Sequence, residues 1–102
     1  MLIVHILFTV KPTEQATLQQ IMQECIALAG SMPGCRTYGF FADQSKTNAY
    51  LLYEEWESKE NFDAYKASSV FKEVGNKLTP LLAGAPASTY FLADSNHELW
   101  EY

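Results

Sequence analysis

An α+β domain of the ferredoxin-like, split β-α-β-β-α-β kind with an antiparallel sheet is what this sequence predicts, on three observations. Stretches of strand-like and helix-like periodicity follow one another in that order. A polar hairpin loop joins the second and third strands. No internal repeat or linker interrupts the 102 residues, which suit one core and leave no room for a second.

The first strand is residues 2–10, rich in β-branched and aromatic side chains and stopped by Lys11-Pro12-Thr13. Thr13 is placed to cap the next helix. There Leu18, Ile21, Met22, Cys25 and Ala29 share one face at three-and-four spacing, and the helix runs to about Gly30. Met32-Pro33-Gly34 makes a turn, Cys35 to Ala42 reads as the second strand, and Ala49 to Trp56, after the polar loop 43–48, reads as the third. Ser58 stands at an N-cap position with Asn61 three residues on, opening a broken helical stretch with Phe62, Tyr65, Val70 and Phe71, for which Gly75 is the expected interruption. A last helical piece carries Leu78, Leu81 and Leu82 and is closed by Gly84 and Pro86; Ala87 to Ala93 reads as the fourth strand.

Composition narrows the function classes. Seven Lys and Arg stand against twelve Asp and Glu, net −5, with no basic run, so the footprint of a nucleic-acid or anionic-membrane binder is missing. The apolar opening MLIVHILFTV is too short to span a bilayer and reads as a strand. Cys25 and Cys35 have neither a CxxC spacing nor a neighbouring His, so both are expected as reduced thiols in a cytoplasmic protein without a metal site.

The strands predict a homodimer. A sheet with helices on one face and water on the other alternates apolar with polar residues. Here Leu2, Val4, Ile6, Phe8 and Val10 lie opposite Ile3, His5, Leu7 and Thr9, and Tyr50 and Leu52 lie opposite Leu51 and Tyr53. Leaving several such side chains wet forfeits on the order of several kcal/mol at ~25 cal/mol per Å². A second copy packed on the open face removes that loss; the competing reading is central strands overlain by long polar side chains.

Lys11-Pro12 after a strand, a long helix, Pro33-Gly34-Cys35, the run Glu54-Glu55-Trp56-Glu57-Ser58-Lys59-Glu60 leading to Phe62 and Tyr65, Ser69-Val70-Phe71, and Leu78-Thr79-Pro80-Leu81-Leu82 follow in an order and spacing that resembles the antibiotic biosynthesis monooxygenase domain family. The resemblance covers nearly the whole chain. It implies a dimeric α+β barrel with a pocket in each subunit between sheet and helices. Such families include quinol and anthrone monooxygenases, haem-degrading enzymes, isomerases and proteins without an assigned activity, so fold does not settle function. Trp56 matches the tryptophan of the family's Glu-x-Trp, implied to line the pocket and stack on a flat substrate. Tyr65 stands where many members carry a histidine, and Gly75 about where haem-degrading members carry the axial one. Without that ligand, haem degradation is not implied.

From the residues themselves, His5 stands out as an imidazole in an apolar strand, which needs a partner or a cavity. A histidine, with an ordinary pKa near ~6.5, is the right type of base for an acidic phenol. Cofactor-free oxygenation needs only such a base, a dry cavity and orientation, because the substrate anion supplies the electrons. No flavin or metal motif is visible, and no cofactor is expected. The expected catalytic set is His5 as base, Tyr65 hydrogen-bonding and, as the resemblance implies, Trp56 stacking, with Tyr50, Glu54, Phe62 and Phe71 lining the pocket around a small apolar or aromatic molecule. A non-catalytic dimeric ligand-binding module is the alternative. Glu54 and Glu55 point to opposite faces, so only Glu54 shares a side with Trp56. Arg36, the single arginine, is available to pair with Glu54 across a dimer. His97 is expected to be exposed, and Leu99, Trp100 and Tyr102 to dock on the partner subunit.

Overall fold

The structure, a computed structural model, describes residues 1–94. The expectations for His97, Leu99, Trp100 and Tyr102 lie outside the described residues. The elements are β1 (Leu2–Thr9), α1 (Gln15–Ala29), β2 (Cys35–Ala42), β3 (Ala49–Trp56), α2 (Lys59–Lys66), α3 (Ser69–Leu78) and β4 (Ala87–Leu92), with short 3-10 turns at Pro12–Glu14 and Thr79–Leu81. The sheet order is β2-β3-β1-β4, antiparallel throughout. This is the predicted α+β, ferredoxin-like arrangement.

Register decides what each side chain meets. Val4 pairs with Glu54 and Tyr90, and His5 with Tyr53 and Thr89, so even positions of β1 share a face with even positions of β3 and β4. The even face lies under the helices, where Leu2, Val4, Phe8, Leu52 and Trp56 are buried with Leu18, Met22, Cys25 and Ala29 of α1. α1 packs against α3, and Lys77 Nζ reaches Glu24 Oε1 across that contact at 2.7 Å.

Two local expectations are corrected. Thr13 does not cap α1: it lies inside the turn Pro12–Glu14, and the N-cap residue, Glu14, makes no side-chain cap bond. Gly75 does not interrupt the second helical stretch. The break is at Ala67 and Ser68, where the Ser68 hydroxyl donates to Tyr65 O at 2.6 Å and accepts from Phe71 N–H at 3.3 Å, starting α3 afresh. Gly75 then sits inside α3.

The start of α2 follows the expected capping pattern, with Ser58 Oγ accepting from Asn61 N–H at 3.1 Å. Gly34 is what lets the β2 entry turn lie against it. Its φ is +81°, and a Cβ there would fall 2.3 Å from the Asn61 side chain. The Glu57 N–H bonds to Gly34 O at 2.8 Å, fixing the Trp56 end of β3 beside that turn.

Candidate functional site

At the C-terminal end of β3 the alternation of strand faces sends Glu54 and Trp56 to the helix side, where the indole Nε1–H donates to Glu54 Oε1 at 2.9 Å. The Trp56 ring stacks on Tyr65 of α2, with centroids 4.8 Å apart at 22°. Phe62, one turn earlier on α2, contacts both rings, and Tyr90 of β4 lies 5.7 Å from Phe62. Phe71 meets the other side of Tyr65 edge-on at 5.2 Å. This is an aromatic cluster running from the sheet interior to the groove between α2 and β4.

Glu54 is the only buried charged residue among those described, 2% exposed. Burial raises its pKa to about 7 despite the opposing bond from Trp56. Beside it the buried Tyr38 hydroxyl makes no hydrogen bond of good geometry, and burial first, then the neighbouring Tyr65, raises its pKa. Burial also raises the Tyr65 phenol. The thiols of Cys25 and Cys35, both free, are pushed up to about 11 by burial, so neither is a ready nucleophile.

The groove opens as a pocket of about 350 Å³ lined by Leu2, Tyr90 and Leu92 on the sheet side and by Lys59, Phe62, Asp63 and Lys66 of α2. Such a volume is at the lower end for small-molecule sites. Trp56, 0% exposed, and Tyr65, 2% exposed, back the Phe62 wall rather than line the opening. Among the described residues no group of His, Cys, Asp and Glu is arranged to hold a metal ion, and no helix is long and apolar enough to cross a membrane.

The structure does not bring the expected catalytic set together. His5 points to the open face of the sheet, its ring 5.4 Å from Tyr53 and 5.1 Å from Phe91. Trp56 and Tyr65 lie on the helix side, so the sheet separates the imidazole from both. Tyr50 is also elsewhere. It sits at the far end of β3, stacked on Phe8 at 5.7 Å and donating to Gln15 Oε1 at 2.8 Å. Phe71 touches Tyr65, but its outer side lines a separate shallow groove with Gly75 and Pro80. Arg36 is exposed, near Met1, and on this chain its possible partner Glu54 is sealed in the core. Glu54, Trp56, Phe62, Tyr65 and Phe71 come together on the helix side, and of the expected set only Phe62 lines the pocket between α2 and β4. Tyr38, Tyr90, Lys59, Asp63 and Lys66 were missed. The lysines and Asp63 recur at positions i, i+4 and i+7 of α2 with Phe62, a spacing that could have flagged one shared face.

Comparison with known proteins follows the same lines. The family model for antibiotic biosynthesis monooxygenase matches residues 1–77. The uncharacterized protein sll1783 of Synechocystis is 31% identical over 74 residues, 72% of this chain and 50% of that protein, so the chain spans about half the length of this curated relative. SnoaB, a cofactor-independent oxygenase from Streptomyces nogalater solved as a variant, superposes with a TM-score of 0.81 at 19% identity, covering 94% of this chain and 95% of its own. Rv0793 of Mycobacterium tuberculosis superposes with a TM-score of 0.81 at 19% identity, over 94% and 97%. A conserved protein of Methanosarcina mazei gives 0.82 at 21%, over 88% and 89%. At such identities the structures speak for the fold alone. The sequence match, which runs from residue 1 to residue 77, places this chain in the antibiotic biosynthesis monooxygenase family.

Proposed function

We propose that the chain is a cofactor-independent monooxygenase acting on a small aromatic or quinol-type compound held in the α2–β4 pocket. The observation that carries this reading is the aromatic wall: Phe62 and Tyr90 face the opening, and Trp56 and Tyr65 stiffen Phe62 from behind. A flat, electron-rich ring fits such a wall, and the family membership supplies the reaction class. For an anthrone-like methylene, O₂ takes the electrons of the substrate anion; one oxygen atom becomes the new carbonyl and the other leaves as water with the two hydrogens of that carbon. The protein contributes exclusion of water and orientation. Trp56 and Tyr65 act as positioning residues, and Glu54 holds the indole.

The same chain is proposed to work as a homodimer through the open sheet face. Leu7, Phe41 and Phe91 are 59%, 54% and 44% exposed there, with Ile3 and Leu51 between them. A contiguous apolar face of this kind marks an interface, and a second copy is self-complementary by symmetry.

A non-catalytic, ligand-binding dimer is favoured by one observation: the chain's own aromatics pack between sheet and helices, and the one carboxylate of the pocket lining, Asp63, is ion-paired with Lys59. Oxygen uptake with a panel of hydroquinones and anthrones, metal chelated, separates the two. Uptake above the uncatalysed rate that falls in Tyr90→Ala, a change at a half-exposed position, supports the oxygenase. His5→Ala should retain that uptake, and a fall of ~100-fold, the size of a lost general base, would move the chemistry to the open face. No uptake by folded protein with any substrate leaves the binding module.

A further inference from the structure

The open face of the sheet has an ionisable imidazole near its middle. His5 and Tyr53 stand side by side there, between the row of Ile3 and Glu55 and the row of Leu7 and Leu51. Charged groups lie at the two ends of this face. At one end Glu55 accepts from the Tyr53 hydroxyl at 2.5 Å and from Thr37 at 3.2 Å, Arg36 reaches Met1 Sδ at 3.9 Å, and the N-terminal ammonium donates to Ala93 O. At the other, Asp43 and Lys46 border Leu7 and Leu51. On the β4 side His5 meets Thr89 and Phe91, which do not titrate. Among the described residues the imidazole has ring contacts with Tyr53 and Phe91 and no hydrogen bond. Burial first, then the bond to Glu55, raises the Tyr53 pKa to about 12, so this neighbour stays a neutral phenol.

We infer that His5 makes the homodimer pH-sensitive: with neutral imidazoles two open faces close on each other, and protonation drives them apart. The inference rests on the open face being the dimer contact and names its regulation. A second copy is the occupant because the middle of the face offers no charge for an unlike partner to match, whereas an apolar surface with a neutral centre is complementary to itself. The two-fold axis of such a contact passes through the patch, and the spacings of strands and of packed sheets then bring the two His5 rings within about 10 Å of each other. Water is excluded there, so a proton on either ring costs desolvation and a second adds like-charge repulsion. Glu55 does not offset this, because it lies one row nearer the end of the face and its bond with Thr37 draws the carboxylate toward β2. Acid therefore favours monomers, in which the imidazole can carry its charge in water.

Sedimentation velocity over a dilution series, at about pH 7.5 and about pH 5.5, tests this. The dimer Kd should rise roughly a hundredfold at the lower pH, the effect of keeping two imidazoles neutral about one unit below the ordinary histidine value near ~6.5. His5→Gln, which cannot take up the proton, should dimerise equally at both and close to the wild-type strength at the higher pH. Glu55→Gln should keep the pH dependence. Both residues lie on the face that no helix covers, so the subunit fold survives either change, as circular dichroism at both pH values will check. A wild-type dimer of equal strength at the two pH values, one that tightens in acid, a dependence that persists in His5→Gln, or one that vanishes in Glu55→Gln overturns the role of His5 while leaving the dimer standing. Wild-type protein that is monomeric at both pH values overturns the dimer reading as well, so the two failures are distinct.

Discussion

On the helix side of the sheet Val4, Leu52, Glu54 and Trp56 are buried, whereas on the other side Leu7, Phe41 and Phe91 are exposed, although the two sets alternate along neighbouring strands of one sheet. Both faces are comparably apolar, and two layers of one chain can cover only one of them. The contrast extends to charge. Glu54 is held near neutrality by burial, while Glu55, one residue on and facing the other way, accepts from Tyr53 at 2.5 Å and Thr37 at 3.2 Å. The covered face is therefore the place where a side chain's chemistry is altered, and the open face is where it awaits a partner.

The most forceful way to break this contrast is on the covered face. Trp56→Ala empties the centre of the aromatic cluster and strips Glu54 of its donor, and should cost ~3–5 kcal/mol in urea unfolding. A loss below ~1 kcal/mol would mean that the cluster is not the core it resembles.

Glu54→Gln comes next and sharpens the comparison through pH. Because the folded-state pKa is raised from 4.5 to about 7, the folded protein binds this proton more tightly than the unfolded chain does. Stability from this group is greatest below the unfolded value and declines as pH rises toward 7, levelling off above it. The penalty at pH 8 is about 3 kcal/mol. Glu54→Gln should recover most of it at pH 8, change little at pH 4, and flatten the slope between; an unchanged slope would show that Glu54 is ionised without cost.

On the open face, Leu7→Lys places a charge in the inferred dimer contact and should weaken self-association by roughly a hundredfold, with little effect on the fold of the subunit. Sedimentation velocity across a dilution series reads this directly, and a wild-type protein that stays monomeric at high concentration would remove the open face as an interface.

The smallest effect concerns a site on neither face. Gly75 lies inside α3, and an added Cβ meets nothing within 4 Å. Gly75→Ala should raise thermal stability by ~0.5–1 kcal/mol through a stiffer helix, which gives a scale against which the other changes are read.

The elements were legible because periodicity and turn residues are local signals. β2 and β3 fall where their side-chain pattern and the loop 43–48 put them, and Ser58 caps α2 as its spacing with Asn61 suggests. Gly75 misled because a glycine's helix penalty is small beside the Ser68 cap that starts α3 about two turns earlier. The site was half legible. Trp56, Glu54, Phe62 and Tyr65 could be grouped from strand alternation and helical spacing, but Tyr50, equally aromatic and on the same face of β3, lies roughly 20 Å away along the strand.

What the sequence by itself determined is which side chains share a face within each element: Glu54 with Trp56, and His5 with Ile3 and Leu7, because a strand's period of two is independent of its neighbours. Only the tertiary structure decided which of those faces meet. The pairing of His5 with Tyr53 rather than with Trp56 or Glu54, and the laying of α1, α2 and α3 on one side of the sheet, put the imidazole and the indole on opposite sides of a layer of backbone. Register is a relation between segments distant in the chain, set by hydrogen bonding and by which apolar face the helices cover, and no local pattern in either strand contains it.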